Sequence, residues 1–166
     1  MSKKQPKIQI EKRALWQYID YACIIAALFA IAYTMIRYSE LPEQIPIHFN
    51  LKGEADSYGS KFYIWFLPVL TILQYMLLTQ IARYPHTFNY TVKITKENAD
   101  RQYTIAVEMV TLLKLCIVIF FTYMTYQTVQ IAMNGQGSLG FFSTFLFLGV
   151  IAIIIIRTVL QSSKTR

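Results

Sequence analysis

Charge is scarce in this chain. Asp, Glu, Lys and Arg make up only 15% of its 166 residues, against about a quarter in a soluble domain. With 55% hydrophobic residues gathered into blocks, that shortage argues against a soluble globule and for the membrane class. Cysteine is nearly missing: Cys23 and Cys116 both lie inside apolar runs, and no CxxC or Cys/His spacing is present. The zinc sites and disulfide frameworks that such spacings announce are therefore not indicated. Histidine occurs only at His48 and His86. No nucleophile–base pair, phosphate loop or catalytic carboxylate pair is readable. A membrane-embedded enzyme is thus the least supported function class, and neither metal nor cofactor is implied. The net charge of +7 is not concentrated in a basic patch with interleaved aromatics, so nucleic acid is not an expected partner.

What the chain does have is four long apolar runs, at about residues 18–36, 62–82, 103–130 and 139–159. A helix needs roughly 20 apolar residues to cross the hydrocarbon layer, and in lipid an unpaired backbone is too costly for any other form. The first run follows a basic start and contains a cleavage-like Ala30–Ile31–Ala32, but it continues to Ile36 and three more runs follow. It reads as an uncleaved span. The expected fold is an all-α integral membrane protein: one membrane domain over 1–166, four transmembrane helices, an outer insert at 38–61 and a cytoplasmic connection at 83–102.

Basic residues set the expected orientation. Lys3, Lys4, Lys7, Lys12, Arg13, Arg83, Lys93, Lys96, Arg101, Arg157, Lys164 and Arg166 fall on one side of the alternating spans. Only Arg37, Lys52 and Lys61 fall on the other, the latter with four acids in the insert. Twelve against three places both termini in the cytoplasm and the insert outside. Trp16, Tyr18 and Tyr103 would sit at the inner interface, and Tyr38, Tyr63, Trp65 and Tyr126 at the outer one, as aromatic belts do. No internal repeat is visible, so the inverted-repeat argument for a transporter gains nothing.

The insert reads as a compact polar cap. Pro42 and Pro46 hold it extended, "IPIHF" suits a short strand, and "NLKG" has turn composition. His48, Glu54 and Asp56 form a thin set for a metal. They also suit a folded cap, with His48 on a backbone carbonyl and Asp56 pairing with Lys61 or capping a turn, or a recognition surface for an extracytoplasmic peptide or protein. The candidate binding residues here are Pro46, His48, Asn50, Gly53, Asp56 and Lys61.

Ionisable groups inside a span need a reason. Asp20 lies near the inner end of the first span. Lys114 falls near the midplane of the third, with Glu108 nearer the cytoplasm. Six residues apart on a helix, the two point about 120° away from each other, so each needs a partner elsewhere. Thr111, Lys114, Val118, Thr122 and Thr125 form a mainly polar stripe that should face the bundle interior, where Thr71 and Gln74 of the second span could meet it. Pro68 is a candidate kink in that span. The stripe either glues helices together or lines a polar cavity for a small solute or ion.

In the cytoplasmic connection, "FNYTVKIT" alternates as a short strand or an interface-lying segment would. Thr95 suits an N-cap, with Asn98 in the reciprocal capping-box position, and Glu97 and Arg101 are spaced to pair.

The insert residues Pro42, Pro46, His48, Phe49, Gly53, Asp56 and Lys61, together with Glu97, Asn98, Arg101, Gln102 and Tyr103 opening the third span, resemble the bacterial membrane family called domain of unknown function 1648. That domain also occurs in the larger immunity and signalling membrane proteins of the Sdp toxin system. The resemblance implies a multi-pass membrane protein engaged in sensing, immunity or partner binding, with these residues as its candidates. The expected partners are the lipid bilayer, an outer peptide or protein, and a second copy of the chain.

Overall fold

In a computed structural model, residues 5–50 and 52–164 are described. Lys3, Lys4 and Arg166, which enter the charge count, lie outside them. Four helices dominate: α1 (Ala14–Arg37), α2 (Phe66–Ala82), α3 (Ala99–Asn134) and α4 (Phe141–Ser163). All four, with short extensions, are long and apolar enough to cross a membrane. Between α1 and α2 lies a two-stranded antiparallel sheet of β1 (Gln44–Phe49) and β2 (Ala55–Ser60).

The long third helix is the hub. Its 36 residues rise about 54 Å, well beyond the roughly 30 Å hydrocarbon layer. It packs against α1, α2 and α4, whereas α1 and α2 touch each other little and α4 rests mainly on α3. The α1 seam consists of Trp16, Ile19, Cys23, Ala27, Ala30 and Thr34, at steps of three or four residues. Small residues along that seam let the backbones approach closely, as packing in lipid requires. By contrast, Phe142, Phe145, Leu146, Leu148, Ile153 and Ile156 of α4 are exposed, which suits lipid contact.

Element ends follow from local chemistry. The α3 helix stops at Gly135, whose φ of 66° is left-handed and whose N–H bonds Ile131 O, a glycine C-cap. At its start, Asn98 Oδ1 accepts from Thr95 N–H at 2.9 Å, and Thr95 Oγ1 accepts from Asn98 N–H at 3.4 Å. The expected capping exchange forms, although no Glu97–Arg101 ion pair does among the described residues; Glu97 interacts instead with Thr95, which holds its carboxyl below the usual range.

Three expectations change. The 88–94 segment is not a strand: a 3₁₀ turn at Pro85–Thr87 leads into irregular chain. Among the described residues no second strand lies beside it, and Tyr90 donates instead to Pro85 O at 2.9 Å. Burial raises the Tyr90 phenol above its ordinary range, with Tyr103 adding to the effect. Pro68 falls in the first turn of α2, after a 3₁₀ segment at Lys61–Trp65, where a missing N–H leaves no internal bond unmade; it is not a mid-span kink. Trp16 and Tyr103 are buried and pack inward, unlike the exposed Tyr18 and Tyr63.

Candidate functional site

Two polar assemblies bring the candidate residues together. The first is the hairpin. Its base is apolar: Leu41, Ile45 and Ile64 bury against Val129 and Ala132 of α3, flanked by Tyr33, Tyr38 and Trp65. Pro46, which carries no N–H, is buried beside Ile45, and the register slips between Pro46 and His48 and again before Phe49. These irregularities turn Ile47 and His48 outward.

Asn50 builds the tip. Its Oδ1 accepts from the N–H groups of Lys52 and Glu54 at 2.8 and 3.1 Å, and its Nδ2 donates to Glu54 Oε2 at 3.0 Å. Gly53 has a φ of 79°, and its carbonyl accepts from Leu139 N–H at 2.9 Å. Ser138 Oγ donates to Lys52 O at 3.1 Å. The tip is thus docked on the α3–α4 connection, which places the insert and that connection at the same end of the bundle.

On the solvent face His48 Nδ1 and Asp56 Oδ1 meet at 2.5 Å, with side chains 69% and 42% exposed. The pair replaces both sequence expectations, since Lys61 takes Glu43 at 2.7 Å and lies over the Tyr38 ring. Asp56 falls at the second irregularity, between Ala55, which pairs with Phe49, and Ser57, which pairs with His48. Glu54 is held by Asn50, so the His48–Glu54–Asp56 trio does not converge, and no group of three ligand-type residues forms among the described residues.

The second assembly lies within the helices. Lys114 is 3% exposed. Its ammonium is bonded to Asp20 of α1 and to Thr79 Oγ1 of α2 at 3.2 Å, with the Tyr75 ring 5.2 Å away. Asp20, read from sequence as an interface residue, is therefore the countercharge; its side chain is 37% exposed. Three helices supply one polar knot. The partners foreseen on α2 do not: Thr71 donates to Leu67 O of its own helix, and the buried Gln74 Oε1 has no hydrogen-bond partner among the described residues. Thr111 and Thr125 likewise bond carbonyls four residues back, whereas Thr122 reaches across, to Ala26 O at 3.3 Å. The stripe faces inward as expected, with Thr111, Lys114, Val118 and Thr125 all buried.

Nearer the termini, Glu108 engages two arginines. Oε2 takes Arg13 at 3.0 Å and Oε1 takes Arg157 at 3.1 Å, joining α1, α3 and α4. Below it Gln102 Nε2 donates to Ser162 O at 3.0 Å, and Ser162 Oγ donates to Gln102 Oε1 at 2.6 Å. Tyr103 donates to Pro6 O at 2.8 Å. Glu97, Asn98 and Arg101 line an open pocket nearby. Sequence spacing identified Glu108 and Lys114 but not their partners, because those come from other helices.

Residues 25–72, covering the second half of α1, the hairpin and the start of α2, match the family model described as domain of unknown function, DUF1648. The chain is also similar to an uncharacterized protein of Archaeoglobus fulgidus, 29% identical over 138 residues and covering 75% of each chain. No solved structure matches.

Proposed function

We propose that the chain is a non-catalytic recognition protein, a single membrane domain in a bacterial cytoplasmic membrane. Both termini face the cytoplasm, and the hairpin cap binds an extracytoplasmic peptide or protein. The observation that carries this reading is a hairpin anchored at its base and open along its second strand. Its base is held through Leu41, Ile45 and Ile64; His48, Asp56, Ser57 and Tyr58 are exposed, and its tip is fixed to the α3–α4 connection. A rigid cap with a free polar and aromatic face suits recognition, since its ordering entropy is already spent on folding. The match over residues 25–72 coincides with this unit, and the resemblance to immunity and signalling proteins of the Sdp system makes a peptide toxin one candidate ligand.

Cells expressing His48→Ala, Asp56→Ala or Lys61→Ala at equal abundance should differ from wild type in sensitivity to a peptide toxin or in capture of an outer partner. Identical behaviour of all three removes the reading. A Lys52→Cys probe should react with an impermeant thiol reagent in intact cells; reaction only after lysis reverses the orientation.

Transport at Lys114 is the second reading, favoured by an ion pair drawn from two helices inside the bundle. A path there requires Lys114 to part from Asp20 and Thr79. Solute flux into proteoliposomes that survives Lys114→Leu unchanged excludes it.

A further inference from the structure

The end of the bundle that carries both termini holds a pocket of about 790 Å³ between the 91–98 segment, the start of α3 and the end of α4. Three cations line it, Lys93, Arg101 and Lys164, with Glu97, Thr95 and Asn98. None of the three cations has an acidic partner within ion-pair distance among the described residues. The other clustered cations differ: Arg13 and Arg157 are spent on Glu108, Arg37 on Glu40 and Lys61 on Glu43.

Three side-chain hydrogen bonds at two contacts assemble this trio from distant parts of the sequence. Asn98 Nδ2 donates to Lys93 O at 3.0 Å, which folds the connection back onto the start of α3 beside Arg101. The Gln102–Ser162 exchange fixes the end of α4 against the same turn and brings Lys164 to the rim. The three cations outnumber Glu97, the one acid lining the pocket, so the excess positive charge is unfavourable until a further anion enters. Arginine offers a planar fork of donors and lysine a compact charge, the combination that holds phosphate oxygens.

We propose that the pocket formed by Lys93, Arg101 and Lys164 binds a phosphate group, presented either by a membrane phospholipid headgroup or by a small soluble phosphate. Lys164 also lines a second, smaller depression with Ile153, Ile156 and Leu160 on the outer side of α4. A phospholipid could place its headgroup among the cations and an acyl chain along that apolar strip, which favours the lipid source. Glu97 opposes either ligand: its carboxyl is held ionised beside Thr95, and it reduces the local charge from three positive to two.

The test uses the full chain in detergent micelles, with dioctanoyl phosphatidylglycerol, dioctanoyl phosphatidylcholine and inorganic phosphate as probes. Saturable phosphatidylglycerol binding should weaken about tenfold in Arg101→Gln and in Lys93→Gln, the loss of one charge-assisted contact. Glu97→Gln should tighten it by about threefold. Lys96→Gln, on the same connection but outside the pocket, should leave it unchanged. These side chains are exposed, so the variants retain their fold, checked by circular dichroism. Phosphatidylglycerol binding without inorganic phosphate binding supports the lipid source; equal binding of both, with the same losses, supports the soluble one. Equal affinity for phosphatidylglycerol and phosphatidylcholine with no phosphate binding, or a Lys96→Gln loss matching that of Arg101→Gln, overturns the site.

Discussion

Two acid–base pairs in this molecule look alike on paper and differ in everything that matters physically. Lys114–Asp20 joins two helices inside the bundle, with the ammonium sealed at 3% exposure. His48–Asp56 joins two strands of the hairpin, with both side chains open to solvent. In the first, the sealed ammonium depends on its carboxylate, because Lys114 left unpaired there has no water to turn to. In the second, water stands ready to replace either partner, so the pair contributes little to holding the cap together. The buried pair is built to stay; the exposed one is free to be exchanged for a ligand's groups.

The widest separation between the two pairs should come from removing one charge from the interior. Asp20→Asn leaves Lys114 buried without its countercharge and should lower stability by about 3–5 kcal/mol. Thermal unfolding in detergent reads this as a large drop in midpoint. The double change Asp20→Asn with Lys114→Met should restore most of the loss, because no buried charge is left unpaired. A single Asp20→Asn that unfolds like the wild type would mean that the pair is wet, and the contrast with the hairpin would disappear.

A smaller effect is expected at the hairpin tip, where the backbone rather than charge does the holding. A methyl group at Gly53 would lie 2.7 Å from Ser138 Oγ and 2.9 Å from Gly140 N, at a φ of 79°. Gly53→Ala should therefore cost about 1–3 kcal/mol and loosen the tip from the α3–α4 connection. Hydrogen exchange at Leu139, whose N–H bonds Gly53 O, should accelerate, while exchange in the α1 seam stays slow.

These two sites also show what a sequence discloses. Four apolar runs forecast α1 to α4 because lipid leaves the backbone only one economical form, and the 38–61 insert was legible as a cap from its prolines and polarity. Lys114 was legible as anomalous, since a lysine in such a run requires a partner. Asp20 was not legible as that partner: it is 94 positions away, and only the packing of α1 on α3 brings it near. His48 and Asp56 were likewise visible as candidates, but their pairing depends on a register slip after Pro46 that alternation alone does not announce. The irregular 88–94 segment misled because alternating side chains create a strand only where another strand supplies hydrogen bonds.

Glu108 falls between the two extremes. Its carboxylate is 23% exposed, but Arg13 and Arg157 are more than half exposed. Glu108→Gln should lower stability by about 1 kcal/mol, and the difference should shrink at high salt. An effect as large as that of Asp20→Asn, and insensitive to salt, would place this junction with the buried pair instead.

The smallest stability change, and the sharpest test of the comparison, belongs to the exposed pair. His48→Gln and Asp56→Asn should each shift the unfolding midpoint by no more than the equivalent of about 0.5 kcal/mol, because solvent can satisfy whichever group remains. Recognition should respond out of proportion to that shift. A ligand engaging the His48–Asp56 face loses a specific partner in either variant, so capture of the outer peptide or protein should fall while the folded population stays constant. Measuring both quantities on the same preparation separates the alternatives: a midpoint drop of several kcal/mol would make the pair a structural strut, and a stable cap with unaltered capture would remove His48 and Asp56 from the recognition surface.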